Sequence, residues 1–265
     1  MKTILTLCLL LTYSLFGIEK PFVIVIPSYN NARYFEKNLD SVLSQNYNNF
    51  RVIYIDDAST DFTGSLVEAY LEKHDTHHRV TLIKNTKRTK ALANKYKGIW
   101  LCNPEEIIVG VDGDDWLFDE NVLSYLNEIY QDPNVWLTYG QFVYSPSGNS
   151  GWASEVKKEI IEQNAFRQHN WQTTHLHSFY AALFHKIKKE DLYYGDDFFE
   201  MAEDLARMFP MLEMAGFHSK FIPKVLYVYN FGTPLNDGVL NGDLQMRLGW
   251  EVRKKPKYQP LKSLF

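Results

Sequence analysis

Four apolar runs, each followed by helical spacing in the first three cases, constrain the fold of this chain more than any other feature. Phe22-Val23-Ile24-Val25-Ile26 is continuous and rich in β-branched residues, the pattern of a strand covered on both faces. Similar runs occupy residues 50–55, 80–83 and 107–111. Between them, apolar positions recur at helical spacing (Phe35, Leu39, Val42 and Leu43 in the first case), predicting amphipathic helices over 34–45, 63–73 and 90–101. This rhythm predicts an α/β domain with a central, mostly parallel sheet flanked by helices. In such sheets ligands bind beyond the carboxyl ends of the strands.

Three of those strand ends carry polar chemistry. Pro27-Ser28-Tyr29-Asn30 follows the first run, Asp56-Asp57 the second, and Asp112-Gly113-Asp114-Asp115 the fourth. Three carboxylates within four positions repel one another unless something positive neutralises them, and a hard divalent cation takes oxygen ligands of this kind. A solvated acidic turn is the competing reading of that stretch by itself. Neighbouring strands would bring all three loops to one crevice, which favours the cation. No Gly-x-Gly-x-x-Gly follows the first strand and no Gly-x-x-x-x-Gly-Lys-Ser/Thr loop occurs, so a dinucleotide dehydrogenase and a P-loop phosphotransferase are disfavoured. Asp112 does not begin a calcium-hand loop, because Trp116 stands where the third ligand belongs.

With 265 residues there is room for one sizeable domain, and a formal net charge of −4 gives no pull towards nucleic acid. Cys8 and Cys102 show no zinc-ligand spacing and predict no internal disulfide. Residues 1–18 begin Met1-Lys2 and continue with an apolar run over 4–16, predicting a signal peptide or a short membrane anchor, with an apolar leader strand as the third reading. Export or membrane association, including peripheral contact with a membrane, is therefore the expected location, and the cytoplasm the alternative. A turn cluster over 145–151 divides the body into halves at 21–145 and 146–245, and the Lys-, Pro- and Tyr-rich tail over 246–265 is expected to be poorly ordered. In the second half a helix is expected over 198–215, carrying Glu200, Glu203 and Asp204, and a strand over 221–229.

Taken together, Pro27-Ser28-Tyr29-Asn30, Asp56-Asp57, Asp112-Gly113-Asp114-Asp115 and Glu203-Asp204 resemble, in order and rough spacing, the motifs of family 2 glycosyltransferases over residues 21–230. The resemblance implies a GT-A-type, Rossmann-like sandwich and an inverting transfer from a nucleotide-diphospho-sugar, a UDP-sugar being favoured, to a saccharide or glycan acceptor. It implies a first half that binds the nucleotide sugar and a second that binds the acceptor. Pro27, Tyr29 and Asn30 would border the base, with Tyr29 stacking on it or simply covering the sheet edge. Asp57, assisted by Asp56, would read a ring N–H, although acids there also suit helix capping. Lys90 and Asn94 fall where the family places further nucleotide contacts, with Arg88 and Thr89 in place of its usual glycine.

The Asp-x-Asp resemblance implies a divalent metal (Mn²⁺ or Mg²⁺) on Asp114 and Asp115, with Asp112 towards ribose or sugar. Asp204 would be the general base and Glu203 its orienting neighbour, against the alternative that both decorate a solvated helix face. Relatives often carry Tyr-Arg and then His after the last strand, where Tyr229-Asn230-Phe231-Gly232 stands here; His175 or His177 could compensate, or could be structural. The alternatives are a GT-A-like protein that binds sugar or nucleotide without catalysis, and a nucleotidyltransferase. The latter would normally show a glycine-rich basic loop after the first strand.

Overall fold

A computed structural model describes residues 18–233 and 241–265. The four apolar runs form β1 (Phe22–Ser28), β2 (Phe50–Asp56), β3 (Val80–Lys84) and β4 (Ile107–Gly110), and α1 (Phe35–Leu43), α2 (Thr63–His74) and α3 (Lys90–Ile99) connect them. Strands β2 and β4 both pair with β1 in parallel, Phe22 standing opposite Phe50 on one side and Ile107 on the other. Every residue of β1 is buried, which explains why its sequence shows no alternation. Helix α3 lies close on the sheet because Gly98 has no side chain: a Cβ there would stand 2.8 Å from Val25 Cγ1.

Beyond β4 the chain adds β5 (Trp116–Leu117), α4 (Val122–Ile129) and β6 (Leu137–Ser145). Next come α5 (Lys158–Glu162), β7 (His177–Tyr180), α6 (Ala181–His185) and the small hairpin β8 (Tyr193–Tyr194)–β9 (Asp197–Phe198). Helix α7 (Glu203–Ala215) and strand β10 (Ser219–Asn230) follow. One sheet of eight strands results, in the order β3-β2-β1-β4-β7-β6-β10-β5. Strand β7 runs antiparallel to β4 and β6, and β5 antiparallel to β10; the other pairings are parallel. The predicted α/β architecture with a mostly parallel sheet is therefore the observed one. The register shift between Ile222 and Val225 flanks Pro223, which lacks the N–H a regular ladder needs.

Three expectations are corrected. The helix expected from residue 198 begins at Glu203, because the chain ahead of it turns through the β8–β9 hairpin. The tail expected to be poorly ordered over 246–265 instead lies largely in α8 (Gly242–Lys254) and a docked segment. Leu248 and Val252, one turn apart, are buried, as is Leu264. Beneath them Arg167 and Glu213 form a buried bidentate pair at 2.5 and 2.9 Å. Arg167 also donates to the Val252 carbonyl at 2.8 Å, while the Tyr258 amide donates to Glu213 at 2.9 Å. Apolar spacing hidden among Lys and Arg thus holds the segment down. The third correction concerns location. The apolar run over 4–16 lies outside the described residues, and no helix among the described residues is long and apolar enough to cross a membrane, so the expectation of export or membrane attachment loses its footing.

Candidate active site

Asp57 sits directly after β2, buried, and accepts hydrogen bonds from the amides of Thr89 (2.8 Å) and Lys90 (2.7 Å) and from Asn85 Nδ2 (2.9 Å). Burial pushes its carboxyl up, but hydrogen bonds from Asn94, Asn85, Thr89 and Lys90 outweigh this and hold it below the usual range. The carboxylate therefore organises the loop from β3 to α3. Lys90 needs that support, because its backbone is left-handed at φ 69°. Its ammonium pairs with Glu200. Asn94, expected to face a nucleotide, is instead buried beneath the loop, donating to the Lys90 carbonyl and accepting from Asn85 and Thr89.

Tyr29 has the Arg88 guanidinium over its ring, 3.7 Å from the centroid. Asn30 is left-handed at φ 54° and ties two loops together: its amide donates to Ser59 Oγ (2.9 Å) and its side-chain oxygen accepts from the Thr60 amide (2.8 Å). The Pro27 carbonyl accepts from the Gly113 amide at 3.1 Å, joining the first loop to the acidic one. Asp56 is buried behind Asp57; its Oδ2 accepts only a long bond from the Ser59 amide, and its Oδ1 has no hydrogen-bond partner. Asp61, one residue ahead of the Phe62 N-cap position, accepts from the Thr63 amide and hydroxyl at the start of α2.

The acidic loop after β4 separates its three carboxylates. Asp115, expected as a metal ligand, turns inward: its oxygens accept from the Tyr227 hydroxyl and the Asn230 amide, both at 2.7 Å. Burial, then the charges of Asp114 and Asp112, push its carboxyl well above the ordinary range. The Tyr227 hydroxyl accepts in turn from the Asp112 amide at 3.1 Å. Asp112 meets Lys95, which stands 2.9 Å from its Oδ1. Asp114 is half-buried beside them. Among the described residues, no three His, Cys, Asp or Glu side chains are arranged to hold a metal by themselves.

Glu203 and Asp204 open α7, after Ala202 in the left-handed region at φ 56°. Glu203 binds Lys95 (2.5 Å) and Arg207 (2.9 Å), and Asp204 accepts from Arg207 at 2.6 Å. Burial opposes the charges on Lys95 and Arg207, but the carboxylates around them raise both pKa values, so both cations persist. Burial also pushes Asp204 up, yet Arg207, His175 and Lys95 bring it down to about 2. These side chains are not a solvated helix face. Sequence reasoning missed Lys95 and Arg207, although spacing held the signal: Lys95 shares the apolar stripe of Leu92 and Ile99, and Arg207 lies one turn beyond Glu203 and Asp204.

The two histidines part company. His177 is buried, bonded through Nε2 to the Thr173 carbonyl and through Nδ1 to Arg207, both at 2.9 Å. An arginine can only donate, so Nδ1 accepts and Nε2 carries the proton. Burial, Arg207 and His175 hold its pKa well below the usual value, and it stays neutral. His175 stacks on Tyr227 and Tyr229, with Nε2 4.0 Å from Asp204 Oδ2.

Known proteins share this arrangement of strands and loops. The glycosyl transferase family 2 model matches residues 23–191. The glycosyltransferase GlyG of Streptococcus pneumoniae is 28% identical over 174 residues, covering 63% of this chain and 56% of that protein. A putative teichuronic acid biosynthesis glycosyltransferase of Bacillus subtilis, TuaG, is 40% identical over 78 residues, or 28% of this chain and 31% of that one. This chain therefore spans about half or less of the curated relatives named here. Among solved structures, Staphylococcus aureus TarS in complex with UDP-GlcNAc superposes with a TM-score of 0.61 at 19% identity, over 80% of this chain and 59% of that chain. The mannosyltransferase PcManGT of Pyrobaculum calidifontis, in complex with GDP-Man and Mn²⁺, also gives 0.61, at 18% identity, over 91% and 66%. The fold is that of the GT-A enzymes, and with the family model matching well over half of its length, the chain belongs to glycosyl transferase family 2.

Proposed function

We propose that this protein is an inverting glycosyltransferase that moves a sugar from a nucleotide-diphospho-sugar to an acceptor hydroxyl, with metal assistance. One observation carries the reading. The Asp112 loop after β4 and the Glu203-Asp204 pair opening α7 come together through Lys95, beside the Tyr29 and Asp57 loops. The base would lie against Tyr29 and Asp57, at the expense of the Arg88 contact or beneath it.

Asp114 and the second oxygen of Asp112 are the groups that would hold a divalent cation. Hard cations accept one or two carboxylates together with substrate phosphates and water, so this small donor set fits an ion that binds with the diphosphate. When bound, it would neutralise the charge that develops on the leaving diphosphate. Complexes of relatives with UDP-GlcNAc, or with GDP-Man and Mn²⁺, support the donor class.

The acceptor oxygen attacks the anomeric carbon from the face opposite the diphosphate. The bond to the phosphate oxygen breaks, configuration inverts, and the acceptor proton passes to Asp204. With its pKa near 2, Asp204 is ionised and ready, but it is a weak base. It takes the proton late, once the new C–O bond has made the hydroxyl acidic. Arg207 and neutral His177 keep its carboxylate in place.

Incubating the purified protein with UDP- and GDP-sugars and Mn²⁺ tests the reading, by calorimetry and by release of UDP or GDP. Binding that is lost in Asp114→Asn while the melting temperature holds supports it. Absence of binding to every donor, with metal present, sinks it.

A further inference from the structure

Lys95 is buried, its side chain only 4% exposed, and it stands between two acids from different parts of the fold. Asp112 belongs to the loop after β4, and Glu203 is the first residue of α7. The contacts continue without a break from Lys95 to Glu203, to Arg207 and to Asp204, at 2.5, 2.9 and 2.6 Å. Charges buried this way are a poor route to stability, since well-packed apolar residues generally serve as well or better. They are stiff, however. Withdrawing one member leaves its partner charged in a low-dielectric interior, so the chain responds as a unit.

We propose that Lys95 is a positioning residue that couples donor binding at Asp112 to the placement of the Asp204 carboxylate. The inference rests on the glycosyltransferase reading above. A diphosphate bound beside Asp112 competes for the Lys95 ammonium and weakens its hold on Glu203. Glu203 then leans more on Arg207, and Arg207 is the cation that holds Asp204. Donor binding at one strand end thereby sets the base on the other side of the crevice, and the coupling is reciprocal.

Hydrogen exchange on the full chain, with UDP and Mn²⁺ as the probe, reads this without turnover. In wild type, UDP with Mn²⁺ slows exchange of the amides over 203–207. In Lys95→Met, UDP still binds, about 5- to 150-fold more weakly as expected for couplings of this kind, and leaves those amides unchanged. Lys95→Arg restores part of the protection. Should Lys95→Met fail to fold, Lys95→Met/Glu203→Gln removes both charges together and takes its place, with the same loss expected. A Lys95→Met or double variant that binds UDP as wild type does and passes on the full protection overturns the coupling alone, and so does a wild type that binds UDP with no change over 203–207. A wild type that binds neither UDP nor GDP overturns the glycosyltransferase reading and the coupling with it.

Discussion

Nη2 of Arg207 lies 2.6 Å from Oδ1 of Asp204, so the carboxylate assigned as base is held by a cation that cannot give up its own proton. Guanidinium charge stabilises the ionised acid, which is why Asp204 stays low despite burial. The arrangement trades basicity for position.

Replacing Asp204 with Asn keeps the shape and removes the proton acceptor. Transfer should fall roughly 10²- to 10⁴-fold, the usual range for a positioned general base. UDP affinity should fall far less than the rate does, because the loops of Tyr29 and Asp57 remain intact. A pair of measurements, initial rates and calorimetry, checks both halves.

Acid should remove what Asp204 contributes to stability. Its folded pKa lies near 2, below the ordinary 3.8, so the contribution is fully present above about pH 4 and is lost as pH falls towards 2. Urea unfolding of wild type and Asp204→Asn should give a constant difference from pH 5 to 7, on the order of 2 kcal/mol. That difference should shrink below about pH 4. A gap that widens on acidification would contradict the ionised, Arg207-bound state.

Gly113 leaves no space for a side chain. A Cβ there would stand 2.6 Å from Ser28 Oγ and 2.7 Å from Asn31 Nδ2. Gly113→Ala should push the acidic loop away from the first one, costing about 1–3 kcal/mol of stability. Nucleotide binding should suffer more than the melting temperature suggests, which parallel calorimetry and thermal denaturation would reveal.

The Arg167–Glu213 pair is the anchor of the C-terminal segment. Arg167→Met strands a buried carboxylate and two carbonyls, and should destabilise by about 3–5 kcal/mol. Limited proteolysis should then cut between 255 and 265 at protease levels that spare wild type. The double variant Arg167→Met/Glu213→Leu should recover much of the lost stability, because no unpaired charge is left behind.

The sheet was readable because strands buried on both faces announce themselves as unbroken apolar runs, as Phe22 to Ile26 does. Asp57 and the Glu203-Asp204 pair were readable as motifs, and their surroundings were not. Asp115 looks like its neighbours in sequence, yet its environment is set by Tyr227 and Asn230, more than a hundred residues away. Lys95 and Arg207 escaped notice because a lone cation in a helix normally marks a solvated face, and only distant acids make burial tolerable. The tail misled through composition: its lysines and tyrosines hide Leu248 and Val252, and the partners that hold it, Arg167 and Glu213, lie in other elements.

The inward-facing Asp115 bears on how this enzyme could move. Through Tyr227 and Asn230 it fastens the acidic loop to the strand that runs through the second half of the molecule, and β4 and β7 join both halves within one sheet. A hinge between the two halves would have to tear a ladder and strand a buried acid. Access to the crevice is thus left to side chains and connecting loops, with the Arg88 guanidinium over Tyr29 the foremost of them.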